Sequence, residues 1–65
     1  MKRIIVRDYR FLKLPNGNVT HIQAQGSPFL KIKGLKETGT ALEVETSEYI
    51  FIIEEALDKG IDLVV

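Results

Sequence analysis

Apolar and polar residues alternate along much of the chain with the period of a β-strand that buries one face. The alternation is clearest over residues 41–46, where Leu42 and Val44 take one face while Glu43 and Glu45 take the other. Weaker versions of the pattern, bounded by glycine, proline or asparagine, predict four further strands. They cover residues 2–14, 18–25, 29–33 and 61–65.

The first predicted strand, residues 2–14, is long and its alternation is imperfect. Tyr9 and Phe11 fall on one face, whereas Leu12 falls on the other. One extra residue in a strand reverses the facing of every residue after it. We therefore expect a β-bulge or a strong twist near Phe11.

A turn separates the first two predicted strands. Pro15 sets the backbone of the first central turn position, Asn16 is tolerated at the second, and Gly17 accepts the left-handed conformation that follows. The segment predicts a β-hairpin with a type I turn and a glycine bulge. Glycine pivots farther along predict that residues 34–40 form a second loop.

The last third of the chain has the spacing of an amphipathic helix over residues 48–59. Thr46 or Ser47 can cap its first amide groups, and Gly60 can end it. The competing interpretation takes residues 49–53 as a strand, because the run Tyr-Ile-Phe-Ile-Ile is strongly β-prone. The apolar positions at helical spacing are Tyr49, Ile52, Ile53, Ala56 and Leu57.

Together these elements predict an α+β fold in a single domain, residues 1–65. A largely antiparallel sheet of about five strands carries one helix, residues 48–59, packed on one face. The other face is either solvated or buried in an oligomer. Burial is favoured, because an exposed face rich in Ile, Phe and Val promotes aggregation.

The composition limits how so short a chain can be stabilised. With 65 residues, 45% of them hydrophobic, it can form one small core, and domains of this size often need a disulfide, a metal or a partner. The chain has no cysteine and one histidine, which argues against disulfides, thiolate sites and histidine-rich metal sites. We therefore expect no cofactor and no metal, and we expect self-association as a homodimer or larger oligomer.

The sequence also bears on location. No apolar run approaches the roughly 20 residues of a membrane-spanning helix, and the N-terminal apolar run is too short for a signal peptide. The expectation is a cytoplasmic protein without a membrane partner.

Charge is divided between the two halves of the chain, although the formal net charge is zero. Residues 1–36 hold eight basic residues and one acidic residue, Asp8, whereas residues 37–65 hold eight acidic residues and one basic residue, Lys59. One interpretation is structural: basic strands pair with acidic strands across the sheet, each pair contributing roughly 0.2–1 kcal/mol. The other is functional, since such asymmetry accompanies binding to charged partners.

Catalytic groups are sparse. His21 is a lone histidine on a predicted strand, and such a residue is more often structural than part of a triad, which needs three placed groups. Glu54 and Asp58 lie one helical turn apart and fit a solvated helix face better than a glycosidase cleft. The sequence therefore predicts that the protein is not an enzyme.

A basic and aromatic cluster on the first strand is the best candidate for ligand binding. Tyr9 and Phe11 could stack bases while neighbouring cations hold phosphates. The alternative is that both rings belong to the core. The candidate residues for binding a ligand or nucleic acid are Arg7, Tyr9, Arg10, Phe11, Lys13, Lys31 and Lys33.

Two binding functions remain open from the sequence. The first is a small non-catalytic binding or regulatory protein that acts through protein–protein contacts, as a homo-oligomer and with an unidentified protein partner. The second is a binder of an anionic ligand, either nucleic acid or a nucleotide, through the basic N-terminal strands.

Overall fold

The computed structural model describes residues 1–54 and 56, which form seven β-strands in two sheets, with no helix among these residues. The four-stranded sheet has the order β1-β7-β6-β5, and the three-stranded sheet has the order β2-β3-β4. β1 pairs with β7 in parallel, and the other neighbouring strands are antiparallel. In chain order the strands are β1 (Lys2–Ile5), β2 (Tyr9–Lys13), β3 (Val19–Ala24), β4 (Leu30–Lys31), β5 (Gly34–Thr38), β6 (Ala41–Glu45) and β7 (Tyr49–Ile53).

The first extended segment passes from one sheet to the other. It begins as β1, bends at residues 6–8 and continues as β2. At the bend, the N–H of Val6 donates to the carbonyl of Ile52 on β7 over 2.9 Å, and the carbonyl of Asp8 accepts from Gln25 beside β3 over 2.8 Å. The long first strand predicted from the sequence is therefore two strands that belong to different sheets.

A second segment makes the same crossing between β4 and β5. The N–H of Ile32 donates to Thr20 in the three-stranded sheet over 2.9 Å. The next N–H, that of Lys33, donates to Glu45 at the end of β6 over 2.7 Å. The two crossings hold the sheets with their inner faces together, as in two-layer β folds.

One apolar core fills the space between the sheets. Alternate residues of both sheets point inward, as the period of a strand requires. Ile22 and Val44 are fully buried, and burying a side chain of this size stabilises the fold by about 1.5–3 kcal/mol relative to exposure. The buried apolar residues are Val6, Phe11, Ile22, Ala24, Leu42, Val44, Phe51, Ile53 and Ala56.

The helix predicted over residues 48–59 is wrong where the structure describes it, and the fold is all-β rather than α+β. Residues 49–53 form β7, with Phe51 and Ile53 buried in the core. Aromatic and β-branched side chains pack well on a pleated sheet, and a run that is apolar throughout fits the strand period as well as the helical one. The rest of the predicted helix, its end at Gly60 and the strand predicted over residues 61–65 fall on residues 55 and 57–65, which lie outside the described residues.

Thr46, a candidate cap for that helix, instead closes the hairpin between β6 and β7. Its N–H donates to the carbonyl of Tyr49 over 2.8 Å, and its hydroxyl donates to the same carbonyl over 2.9 Å. The hydroxyl oxygen also accepts from the N–H groups of Glu48 and Tyr49. Threonine satisfies backbone groups in a turn as readily as at a helix start, so the sequence signal was ambiguous.

The hairpin predicted between the first two strands is confirmed, and it joins β2 to β3. The N–H of Leu14 donates to the carbonyl of Asn18 over 2.8 Å, and Gly17 has a φ of 93°. The pairing register shifts between Leu12 and Lys13. A β-bulge therefore lies close to the position where the sequence predicts one.

Residues 34–40, predicted as a loop, contain β5 and a tight turn. Thr38 pairs with Ala41, which leaves two residues in the turn, the first of them Gly39 with a φ of 62°. Glycine in this position is typical of a two-residue hairpin whose twist matches that of its strands. The glycine marks a strand connection here rather than a longer loop.

Candidate nucleic-acid interface

The outer face of the three-stranded sheet carries polar and basic side chains around an exposed leucine. Arg10 lies opposite Gln23 in the register of β2 and β3. Leu12 lies opposite His21, which in turn lies opposite Lys31 on β4. Because alternate residues of these strands point into the core, this set points outward. We name this surface the basic face; its residues are Arg10, Leu12, His21, Gln23 and Lys31.

The basic face is open to a ligand. Arg10 and Lys31 are exposed, and Leu12 keeps 45% of its surface in solvent. His21 is half-buried on the central strand. Phe29, one residue before β4, is 37% exposed and adds an aromatic ring at that end of the sheet.

His21 is held in place by contacts with neighbouring strand residues. Its Nδ1 lies 2.8 Å from the hydroxyl oxygen of Thr20. That hydroxyl donates to the carbonyl of Leu12 on β2 over 3.4 Å. The imidazole is thereby positioned at the centre of the basic face, where a planar ring can pack against a base.

The three-stranded sheet carries no acidic residue. Between Asp8 and Glu37 the sequence has five basic residues and no aspartate or glutamate, and all three strands of this sheet fall within that interval. The positive potential of the basic face is therefore not offset by carboxylates on the same sheet.

The four-stranded sheet, in contrast, contains an ion pair across its strands. The guanidinium of Arg3 donates to both carboxylate oxygens of Glu43, over 3.0 and 3.1 Å, and Lys36 lies opposite Glu43 in the register. The hydrogen bond from Arg3 holds the pKa of Glu43 below its ordinary value. Among the described residues, Arg3 and Glu43 form the ion pair, and no cation of the basic face pairs with a described carboxylate.

The two rings predicted to stack bases point towards the core. Phe11 is 4% exposed and Tyr9 is half-buried, with their ring centroids 5.7 Å apart in an edge-to-face arrangement. Burial also raises the pKa of Tyr9. In the structure Phe11 is therefore part of the core, whereas Tyr9 packs against the core and also lines an open pocket.

The five predicted cations do not lie together. Arg10 and Lys31 lie on the basic face, whereas Arg7 and Lys33 are exposed at the two bends. Lys13 is half-buried at the bulge, and its Nζ is buried without a hydrogen-bond partner among the described residues. The basic face thus contains two of the seven residues predicted from the sequence.

Leu12, His21 and Gln23 complete the basic face and are missing from the predicted set. Strand alternation alone puts His21 and Gln23 on one side of the second strand, and it puts Leu12 on the side away from Tyr9 and Phe11. These signals were present in the sequence. The pairing register joins the three residues into one surface, and the sequence carries no local signal for that register.

An open pocket adjoins the basic face at the Arg10 end. Its volume is about 330 Å³, towards the lower limit of small-molecule sites. The turn that forms one wall has left-handed φ values at Gln25 (50°) and Gly26 (82°). The N–H of Ala24 donates to Oγ of Ser27 over 3.1 Å, which ties the turn to the end of β3. The pocket is lined by Asp8, Tyr9, Arg10, Gln23, Gln25 and Gly26.

In the part of the chain that the structure describes, no helix is long and apolar enough to cross a membrane. No three potential metal-ligating side chains lie together in that part either. No protein family, curated protein or solved structure matches this chain.

Proposed function

We propose that this protein is a small non-catalytic binding module that holds single-stranded nucleic acid on the basic face. One observation carries the proposal. An exposed antiparallel surface has Arg10 and Lys31 at its corners, Leu12 and His21 beside them, and no carboxylate on the same sheet. Single-stranded nucleic acids are held by these two kinds of contact, cations on phosphates and planar or apolar side chains on bases.

The spacing of the two cations suits separate phosphates. Arg10 is on β2 and Lys31 is on β4, with β3 between them. Arg10 lies level with Gln23 and Lys31 with His21, so two strand spacings and a two-residue offset separate their Cα atoms by about 12 Å. On the way across, His21 and Leu12 offer packing surface to a base. A nucleic-acid strand that crosses the sheet meets a cation, a packing surface and a second cation in turn.

The open pocket beside the basic face can take one unstacked base. Arg10 belongs to both surfaces, so its guanidinium can contact a phosphate at the pocket entrance. Gln23 and Gln25 supply amide donors and acceptors, the groups that read base edges. A base in this pocket would add contacts that a bare phosphate chain lacks.

The basic face suits a protein partner less well. The cores of protein interfaces are depleted in charged residues and enriched in aromatic ones. The basic face instead has one exposed apolar side chain, Leu12, among charged and polar neighbours, and one exposed ring, Phe29, beside its β4 end. A nucleic-acid ligand is also compatible with the cytoplasmic location expected from the sequence.

Salt dependence of binding tests the proposal. A labelled single-stranded oligonucleotide, as RNA and as DNA, is titrated with the full chain by fluorescence anisotropy over a series of salt concentrations. Two to four phosphate contacts predict a slope of log K against log salt of about −1.4 to −2.8. A duplex of the same sequence serves as the control and is expected to bind more weakly, because its bases are stacked inside. No binding at the lowest salt, or a slope near zero, would overturn the proposal.

A further inference from the structure

β5 forms one edge of the four-stranded sheet, and in residues 1–54 and 56 no strand pairs with its outer side. On its other side, β5 pairs with β6 along all five of its residues. A strand edge of this kind presents unpaired N–H and C=O groups that can form a ladder with another strand.

The alternation of hydrogen bonds along β6 shows which of its residues bond to β5. The N–H of Thr46 bonds to Tyr49 across the β6–β7 turn. In an antiparallel pair, successive residues bond alternately to one side and to the other. Glu45 and Glu43 therefore direct their backbone groups towards β5.

Leu35 and Glu37 are consequently the residues of β5 whose N–H and C=O groups point away from β6, towards the edge of the sheet. Gly34 and Lys36 lie opposite the two β6 glutamates and use their N–H and C=O groups inside the sheet. Leu35 also keeps 43% of its surface exposed, and Glu37 is exposed. β5 thus offers a partner strand both hydrogen bonds and an apolar side chain.

We propose that two copies of this chain pair β5 with β5, antiparallel, about a two-fold axis at Leu35. Leu35 of one copy then lies opposite Leu35 of the other, and each donates its N–H to the other's carbonyl. The same register brings Glu37 of each copy beside the residue that precedes β5 in the other copy, Lys33. The N–H of Lys33 already donates to Glu45 inside its own sheet, so the two contacts between Lys33 and Glu37 are ion pairs of side chains only. Gly34 lies opposite Lys36, and its lack of a side chain leaves room for the lysine.

Charge favours β5 over the other edges for this pairing. β1, β2 and β4 each carry basic residues and no acidic residue, so an antiparallel pairing with a second copy brings like charges together. β5 carries both Lys36 and Glu37, with Lys33 just before it. The two-fold axis also closes the assembly, because each copy uses its single β5 edge. The interface contains no residue of the basic face.

Sedimentation equilibrium of the full chain, without nucleic acid, tests the dimer. The wild-type chain is expected to approach twice its mass of 7.4 kDa as concentration rises. Lys33→Glu and Glu37→Lys each place like charges opposite one another, so each variant alone is expected to dimerise roughly tenfold more weakly. An equimolar mixture of the two variants is expected to dimerise again, because opposite charges then face each other across the strands. Glu48→Lys, an exposed charge reversal in the β6–β7 turn, is the control and is expected to leave dimerisation unchanged.

A wild-type chain that stays monomeric at every concentration would overturn the dimer. A dimer that neither variant weakens, or variants whose mixture fails to associate, would overturn the proposed register. Circular dichroism verifies that each variant keeps its strand content. A monomer that still binds the single-stranded oligonucleotide would refute the dimer and leave the proposed function standing.

Discussion

Replacing Ile22 with alanine is expected to lower the free energy of unfolding by about 2–5 kcal/mol. Ile22 has no exposed surface and lies between Phe11 on β2 and Leu30 on β4. Its truncation leaves a cavity between the two sheets. A chain of this length has a total stability on the order of 3–10 kcal/mol. Urea unfolding followed by circular dichroism should therefore show a large loss, or a chain already partly unfolded without urea.

Leu12→Ala is the matched control, because Leu12 is on the neighbouring strand but faces solvent. It keeps 45% of its surface exposed, so its truncation is expected to cost less than about 1 kcal/mol. Equal losses in the two variants would contradict the assignment of inner and outer faces to the three-stranded sheet.

The double substitution Arg10→Gln and Lys31→Gln is expected to weaken binding of the single-stranded oligonucleotide about 25-fold at 0.1 M salt. The two cations lie at opposite corners of the basic face, and each is expected to neutralise one phosphate. Losing two phosphate contacts should also make the slope of log K against log salt shallower by about 1.4. Because both side chains are exposed, the free energy of unfolding should change little, which urea unfolding verifies.

Lys2→Gln with Lys36→Gln provides a control of equal net charge. Both residues are exposed and belong to the four-stranded sheet. If binding depends on the basic face, this pair should have a much smaller effect than the Arg10 and Lys31 pair. Equal effects would indicate that affinity follows the net charge of the chain, and the basic face would lose its assigned role.

The sequence predicts strands well where the signal is local. The alternation around Leu42 and Val44, and the turn after β2, both recur in the structure. The helix prediction failed because residues 49–53 are apolar throughout, so a strand and a helix fit the pattern equally. What decides between them is the inner face of the four-stranded sheet, where Phe51 and Ile53 are buried against residues that are distant in the sequence. No local window contains that information.

The candidate site could be predicted only in part, because its residues also depend on contacts between distant parts of the chain. Arg10 and Lys31 stand out by charge alone, whereas the direction in which Tyr9 and Phe11 point depends on the bend between β1 and β2. Treated as one long strand, the segment gives no fixed inner face. Once the bend assigns β2 to the three-stranded sheet, alternation places the rings inside and Leu12 outside.

A ¹H–¹⁵N NMR titration of the full chain with a single-stranded oligonucleotide tests the basic face most directly. Binding there predicts that amide shifts concentrate in β2, β3 and β4, with the largest changes around Arg10, His21 and Lys31, while the amides of β6 change little. Shifts centred on the four-stranded sheet, or none with oligonucleotide in large excess, would contradict a nucleic-acid site on the basic face.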